Sequence, residues 1–178
     1  MPNIQVKTYY LEMKSAPGFE NIQFPDNASV IHWVNPDPDE YLYLYKKVGD
    51  DWGWTGRTQI SREELTSVLN DSATQVYLLQ YEDEIAGFIE LYKEDDRVEV
   101  KYFGLLEAFQ GKGLGGTLLK WGIQKAWDWS GNHIWVHTCE YDSEYALTLY
   151  QKMGFVLTKT ETIEEFYEES FLASFNQK

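Results

Sequence analysis

The segment Gln110-Gly111-Lys112-Gly113-Leu114-Gly115-Gly116 constrains this chain more than any other. Five of the thirteen glycines fall between Gly104 and Gly116, and the cluster follows a strand-like run and opens a helix-like one. Glycine lets a ligand approach the backbone closely. The first turn of a helix adds N–H groups without intrahelical partners and the positive end of the helix dipole. A strand, a glycine loop and a helix in that order therefore make an anion site of the kind that cradles phosphate. Local charge agrees: five cations and two acids lie between Arg97 and Lys125, a segment of +3 in a chain of formal charge −14, leaving −17 for the rest.

Two common phosphate motifs do not account for the loop. Gly111, Gly113 and Gly116 satisfy the dinucleotide pattern GxGxxG, and Glu140 falls near the position of a ribose-binding acid. However, Glu107-Ala108-Phe109-Gln110 separates strand from loop, an antiparallel meander precedes it, and only 62 residues follow Gly116. That leaves no room for a second mononucleotide half. No Gly-Lys-Ser/Thr follows, which excludes a Walker A loop.

The 178 residues are read as one domain. A chain of this length hides roughly two thirds of its unfolded surface and folds without disulfides; its one cysteine has no internal partner. The charge of −14 disfavours nucleic acid and anionic membrane and favours a cationic substrate. MPNIQVKTYYLEMK lacks the pattern of a signal peptide, and no stretch reaches the ~18 apolar residues of a membrane span. A cytoplasmic protein is expected.

All five prolines lie at or before Pro38, so regular structure can run uninterrupted after it. Residues 4–13 read as a strand. Asp37 and Pro38 open a helix that reaches about Val48 and stops at Gly49, and Ser61 with Glu64 forms a capping box for a helix over 62–70. Runs at 75–81, 84–92 and 97–106, separated by short acidic turns, predict an antiparallel meander. A helix over 113–129, a strand over 133–139, a helix over 143–153 capped by Asp142 and a strand over 154–160 follow. The strand–helix–strand link implies one parallel pair. The fold class is thus α/β, with a mixed α+β sheet of six to seven strands flanked by helices. The Glu-rich stretch from Glu161 to Ser170 reads as a solvated face.

At this point the sequence resembles the GNAT superfamily of N-acetyltransferases. Gln110 to Gly115 matches its signature Arg/Gln-x-x-Gly-x-Gly/Ala after the fourth strand. Leu149-Tyr150-Gln151-Lys152-Met153-Gly154-Phe155 is similar to its Leu-Tyr-x-x-x-Gly-Phe helix ending, with Tyr150 lying 40 residues after Gln110. The likeness covers residues 75–160 and is nearest to a bacterial subgroup of unknown substrate. It implies an acyl-CoA acyltransferase fold, acetyl-CoA as cosubstrate, no metal, and direct attack by a primary amine in a ternary complex. The acceptor would be a small-molecule or peptide amine, cationic in character, and the protein a monomer or homodimer. The resemblance also implies the donor site. Gln110, Gly111, Lys112, Gly113, Leu114, Gly115 and Gly116 would hold the pyrophosphate, and Leu105 and Leu106 would pair with the pantetheine. Thr138-Cys139-Glu140 stands where members often carry Asn. A non-catalytic acyl-CoA sensor or interaction module on the same fold is the alternative.

Acetyl transfer needs a base to free the amine, fixed donors for the thioester oxygen, and an acid for the leaving thiolate. The resemblance assigns the acid to Tyr150, whose phenol is protonated at neutral pH. Glu99 is the first candidate base, on the face that strict alternation shares with Lys101, Phe103 and Leu105; Glu90 is the second. His137, on the same face as Trp135, is the one histidine that could act as a base near neutral pH, although it reads rather as a hydrogen-bonded core histidine; Cys139 reads as a small buried residue. No cluster has metal-ligand spacing. The loop Asp50-Asp51-Trp52-Gly53-Trp54-Thr55-Gly56-Arg57 joins the first two helices, where relatives bind acceptors. Trp52, Trp54 and Arg57 are its candidate substrate contacts, although an aromatic plug would also explain the tryptophans.

Overall fold

The computed structural model describes residues 3–177. In chain order the elements are β1 (Asn3–Met13), β2 (Ala28–His32), α1 (Pro38–Gly49), α2 (Arg62–Asn70), β3 (Thr74–Tyr81), β4 (Glu84–Glu94), β5 (Arg97–Leu105), α3 (Leu114–Ser130), β6 (Ile134–Cys139), α4 (Ala146–Lys152), β7 (Val156–Phe166) and α5 (Glu169–Phe175). The strands form one seven-stranded sheet in the order β2-β3-β4-β5-β6-β1-β7. β5 and β6 run parallel, and every other neighbouring pair is antiparallel.

Local chemistry accounts for the boundaries. Asp37 accepts from the N–H groups of Asp39 at 2.9 Å and Glu40 at 3.1 Å, which starts α1. Ser61 and Glu64 exchange hydrogen bonds at 3.1 and 2.9 Å in a full capping box. Glu82 and Asp83 both take positive φ, 51° and 66°, the backbone of a tight two-residue hairpin between β3 and β4.

The sheet separates two apolar layers. α3 packs Leu114, Leu118, Leu119 and Ile123 over Leu79, Ile89, Leu91, Val98 and Val136. α1 and α2 pack Tyr41, Leu44, Tyr45, Leu65 and Leu69 over Val76, Leu78 and Phe88 on the opposite face. Each fully buried aliphatic side chain contributes roughly 1.5–3 kcal/mol of transfer free energy, so both layers anchor the strands that carry the site.

Four features depart from the sequence expectations. β2 was not foreseen; its five residues ride the edge of β3 from Ala28 to His32. β7 continues to Phe166 through most of the acidic stretch, because residues 160–166 pair with Asn3–Tyr9 and the sheet edge leaves the carboxylates wet. The chain then forms α5. Finally, α4 begins at Ala146 rather than residue 143, since Asp142 turns back onto β6 instead of capping the helix.

Candidate functional site

β5 and β6 are ladder partners only at Val98–Ile134 and Glu99–Trp135. Both continue, to Leu105 and Cys139, so their edges part beyond that point. A cavity of about 780 Å³ fills the gap and opens towards both layers. On the α3 side its wall is Gln110, Gly111, Gly113, Gly115 and Gly116, with Phe103 and Leu105 of β5 and Ala146, Leu149 and Tyr150 of α4. On the α1 side the wall is Tyr45, Trp52, Trp54, Thr55, Gly56, Gln59 and Tyr102, closed by Glu165, Phe166 and Tyr167. Lys101, Val136, His137, Thr138, Cys139 and Asp142 lie between the two.

The glycine loop has the properties of an anion cradle. Gly113 begins α3 at φ 76° with no side chain capping the helix, so the first N–H groups of α3 meet no capping group. A Cβ built on Gly111, Gly113 or Gly116 would meet no atom within 4 Å and would stand in open space. That space suits a phosphate group held by backbone amides. Gln110 braces the loop by donating from Nε2 to the Leu105 carbonyl at 3.3 Å.

Three residues assigned to the donor site lie outside the wall. The Lys112 ammonium sits over the Tyr81 ring, 5.9 Å from its centroid. The Leu114 side chain is buried in the α3 layer. The Leu106 N–H donates to the Ala86 carbonyl at 2.8 Å and is committed to β4. This corrects the pairing role given to Leu106. By antiparallel alternation, the N–H and carbonyl of Leu105 then point into the gap.

Tyr150 lines the cavity, with its ring edge-on to Phe155 at 5.9 Å. Burial raises its phenol well above the ordinary tyrosine range, and the Asp142 charge pushes the same way. Asp142 closes the end of β6, accepting from Thr138 Oγ1 at 2.6 Å and the Cys139 N–H at 2.9 Å. Cys139 lies 3.3 Å from the Tyr167 hydroxyl, and burial pushes its thiol up to about 11.

The loop over residues 50–57 divides its labour. Trp52 lines the cavity, and Trp54 both lines it and packs against Tyr45 and Tyr102 at 5.4 and 5.2 Å. Thr55 ties the loop to the end of β7, donating to the Phe166 carbonyl at 2.9 Å. Arg57 and Glu90 do not reach the cavity. They form a buried ion pair with 10% and 0% of their side chains exposed, and Tyr41 donates to the same carboxylate at 2.5 Å. Burial works against the Arg57 charge, but Glu90 outweighs it and holds the guanidinium protonated. Arg57 also sits 5.2 Å from the Tyr102 ring centroid. The substrate role given to Arg57 and the base role given to Glu90 are therefore corrected: the pair braces the aromatic wall from behind.

Glu99 is buried below the gap, with Lys101 Nζ 3.6 Å from Oε2 and His137 Nδ1 3.1 Å from Oε1. The face assigned by alternation also needs correcting. Val100 opposes Leu91 and Tyr102 opposes Glu90, so Lys101 is an extra residue in a bulge. After the bulge Tyr102 faces α1 with Glu99, while Phe103 and Leu105 pack towards α3. Tyr45, Tyr102, Glu165 and Tyr167 are site residues that sequence reasoning missed. Only the period-two pattern of β5 could have flagged one of them, and the bulge hides it. Among the described residues no group of three or more His, Cys, Asp or Glu is arranged to hold a metal, and no helix is long and apolar enough to cross a membrane.

Comparison with known proteins gives consistent findings. The sequence model of the Acetyltransferase (GNAT) family matches residues 25–155. A mycothiol acetyltransferase of Corynebacterium efficiens is 27% identical over 86% of the chain, which spans about half (47%) of that protein's length. An uncharacterized N-acetyltransferase from the pepI 3′ region of Lactobacillus delbrueckii subsp. lactis is 24% identical over 84% of this chain and 83% of its own. Among solved structures, a GNAT family acetyltransferase from Elizabethkingia anophelis with acetyl-CoA bound is 30% identical, with a TM-score of 0.57 over 76% of this chain and 80% of that one. A Bacillus subtilis acetyltransferase in complex with CoA is 25% identical, with a TM-score of 0.57 over 74% and 78% of the two chains.

Proposed function

The chain belongs to the GNAT acetyltransferase family, and from that premise we propose that it transfers the acetyl group of acetyl-CoA to a primary amine by direct attack within a ternary complex. The observation that carries this reading is the cavity itself. It joins an amide-lined glycine cradle to an aromatic chamber through the gap between two parted parallel strands. Acetyl-CoA fits the cradle: glycines leave room at Gly111, Gly113 and Gly116, and α3 offers its uncapped N-terminus to the pyrophosphate. Related structures with acetyl-CoA or CoA support the same donor.

The chain's own residues supply the remaining demands. Lys101 is the extra residue of the β5 bulge, and its N–H is the backbone donor assigned to the thioester oxygen as charge develops there. Tyr150, held neutral by burial, donates its proton to the departing thiolate. The deprotonating side lies at Glu99, behind Lys101 and His137. The faces of Trp52, Trp54, Tyr45 and Tyr102, with Glu165 at the margin, suit a cationic amine.

The test is release of free CoA thiol from acetyl-CoA across polyamines, aminoglycosides, amino acids and peptide amines. Turnover on at least one class is expected. Tight acetyl-CoA binding with no release on any of them would instead identify a donor-binding module without turnover.

A further inference from the structure

We propose that His137 is a further catalytic residue, the group that takes the proton from the acceptor ammonium, with Glu99 behind it as its positioning residue. This rests on the acyl-transfer reading above. Glu99 is the wrong place for direct contact: its side chain is 4% exposed and forms no part of the cavity wall. His137 is 37% exposed and lines the wall at the parting of β5 and β6. The other two histidines lie elsewhere, His32 stacked on Tyr77 at 4.7 Å and His133 bound to Glu12 at 2.8 Å.

The pair stands one small ring turn away from the geometry of a relay. His137 Nδ1 is 3.1 Å from Glu99 Oε1, yet off the ring N–H axis, so this buried oxygen has no in-line donor. Leaving a buried carboxylate oxygen unpaired is costly, and a small turn of the imidazole satisfies it. The turn fixes the tautomer, with Nδ1 carrying the proton towards Glu99 and Nε2 left as the acceptor. Two rings limit other motions of the imidazole: Trp135 with centroids 5.9 Å away and Tyr10 at 6.0 Å.

The charged and titratable neighbours come from three strands. β5 contributes Glu99 and Lys101, with Lys101 on the second carboxylate oxygen. β1 contributes Tyr10, whose phenol is raised by burial and then by Glu161. β7 contributes Lys159, over the Tyr10 ring at 5.3 Å, and Glu161, paired with Lys159. In the step, an N–H bond of the ammonium breaks and its proton passes to Nε2. The freed lone pair attacks the thioester carbonyl carbon; as the C–S bond breaks Tyr150 protonates the sulfur, and the surplus proton on the new amide nitrogen passes through water to the tyrosinate, which restores the phenol. The imidazolium keeps its Nδ1–H on Glu99 and returns its proton to water at the cavity mouth.

The experiment compares wild-type enzyme with H137Q and E99Q by pH–rate profile, acetyl-CoA affinity and ¹⁵N resonances of the histidine rings. H137Q is expected to lower kcat by about 10²-fold, to remove the acidic limb assigned to this residue, and to leave acetyl-CoA affinity unchanged. E99Q should lower kcat while leaving acetyl-CoA affinity unchanged, because the ring loses the acceptor that orients it. If H137Q keeps wild-type kcat and limb while E99Q abolishes the limb, Glu99 acts without His137 and the proposal is overturned. If the wild-type protein turns over no amine, the acyl-transfer reading fails by itself. The ring resonances then decide the pair: an Nδ1–H tautomer in wild type that is lost in E99Q supports it, and identical tautomers in both overturn it.

Discussion

The half of the cavity proposed for the donor is centred on backbone, where Gly111, Gly113 and Gly116 expose the amides that open α3, whereas the half proposed for the acceptor is made of side chains gathered from α1, its following loop, β5 and the end of β7. A backbone site needs small residues at fixed spacing and little else, so it tolerates wide change elsewhere. A side-chain site needs its rings held from behind, and here a buried ion pair does that holding. One half can therefore serve a constant donor while the other varies with the acceptor.

The sharpest way to break this contrast is Arg57→Ala. Removing one partner of a buried pair strands the other charge, and such losses run to about 3–5 kcal/mol. Both residues are almost wholly shielded here, so little solvent screening reduces the effect. Thermal or chemical denaturation should show a loss of that size, while the melting temperature should still rise on adding CoA. If the variant stays folded at low temperature but no longer responds to CoA, the halves are not separable and the contrast fails.

Tyr150→Phe tests the junction. It removes one hydroxyl and leaves the cradle intact. We expect kcat to fall about 10²-fold, or ~2.7 kcal/mol of transition-state stabilisation, with acetyl-CoA affinity unchanged. The pH dependence has a definite sign. Burial and Asp142 raise the phenol, so it stays protonated through the neutral and mildly alkaline range. A basic limb due to Tyr150 must then lie above the ordinary tyrosine value near ~10 and vanish in the variant. An unchanged kcat removes Tyr150 from the reaction.

The same contrast explains what could be read from the chain. The glycine loop that opens α3 was legible because Gln110 to Gly116 is contiguous and its signal is local. The meander and the capped helices were legible for the same reason, since Asp37, Ser61 and the Glu82-Asp83 turn act within a few residues of themselves. The acceptor chamber was not. Tyr45, Tyr102 and Tyr167 meet only after the sheet forms, and the bulge at Lys101 inverts the alternation that placed Phe103 and Leu105 beside Glu99. Glu90 and Arg57 were misassigned because charge alone does not distinguish a reacting carboxylate from one committed to a buried partner 33 residues away. The pairing of β7 through the acidic stretch escaped notice because five glutamates in ten residues look solvated until β1 lies beside them.

The smallest expected effect discriminates best, because fold and ligand should respond with opposite signs. Gly116 lies in the first turn of α3, and a Cβ there would meet no protein atom within 4 Å. The fold gives no reason for glycine at this position. Gly116→Ala should raise stability by up to about 1 kcal/mol, the helix-propensity difference between the two residues. The same methyl group would occupy the space from which a pyrophosphate approaches the amides, so CoA affinity should fall by about tenfold, ~1.4 kcal/mol. Denaturation of the free protein reads the first quantity and calorimetric titration with CoA reads the second. A variant that gains stability and binds CoA as tightly as before would remove Gly116 from the cradle. A variant that loses both would mean that the glycine serves packing, and the backbone character of the donor half would then rest on Gly111 and Gly113, the two positions whose positive φ of 78° and 76° demands glycine in any case.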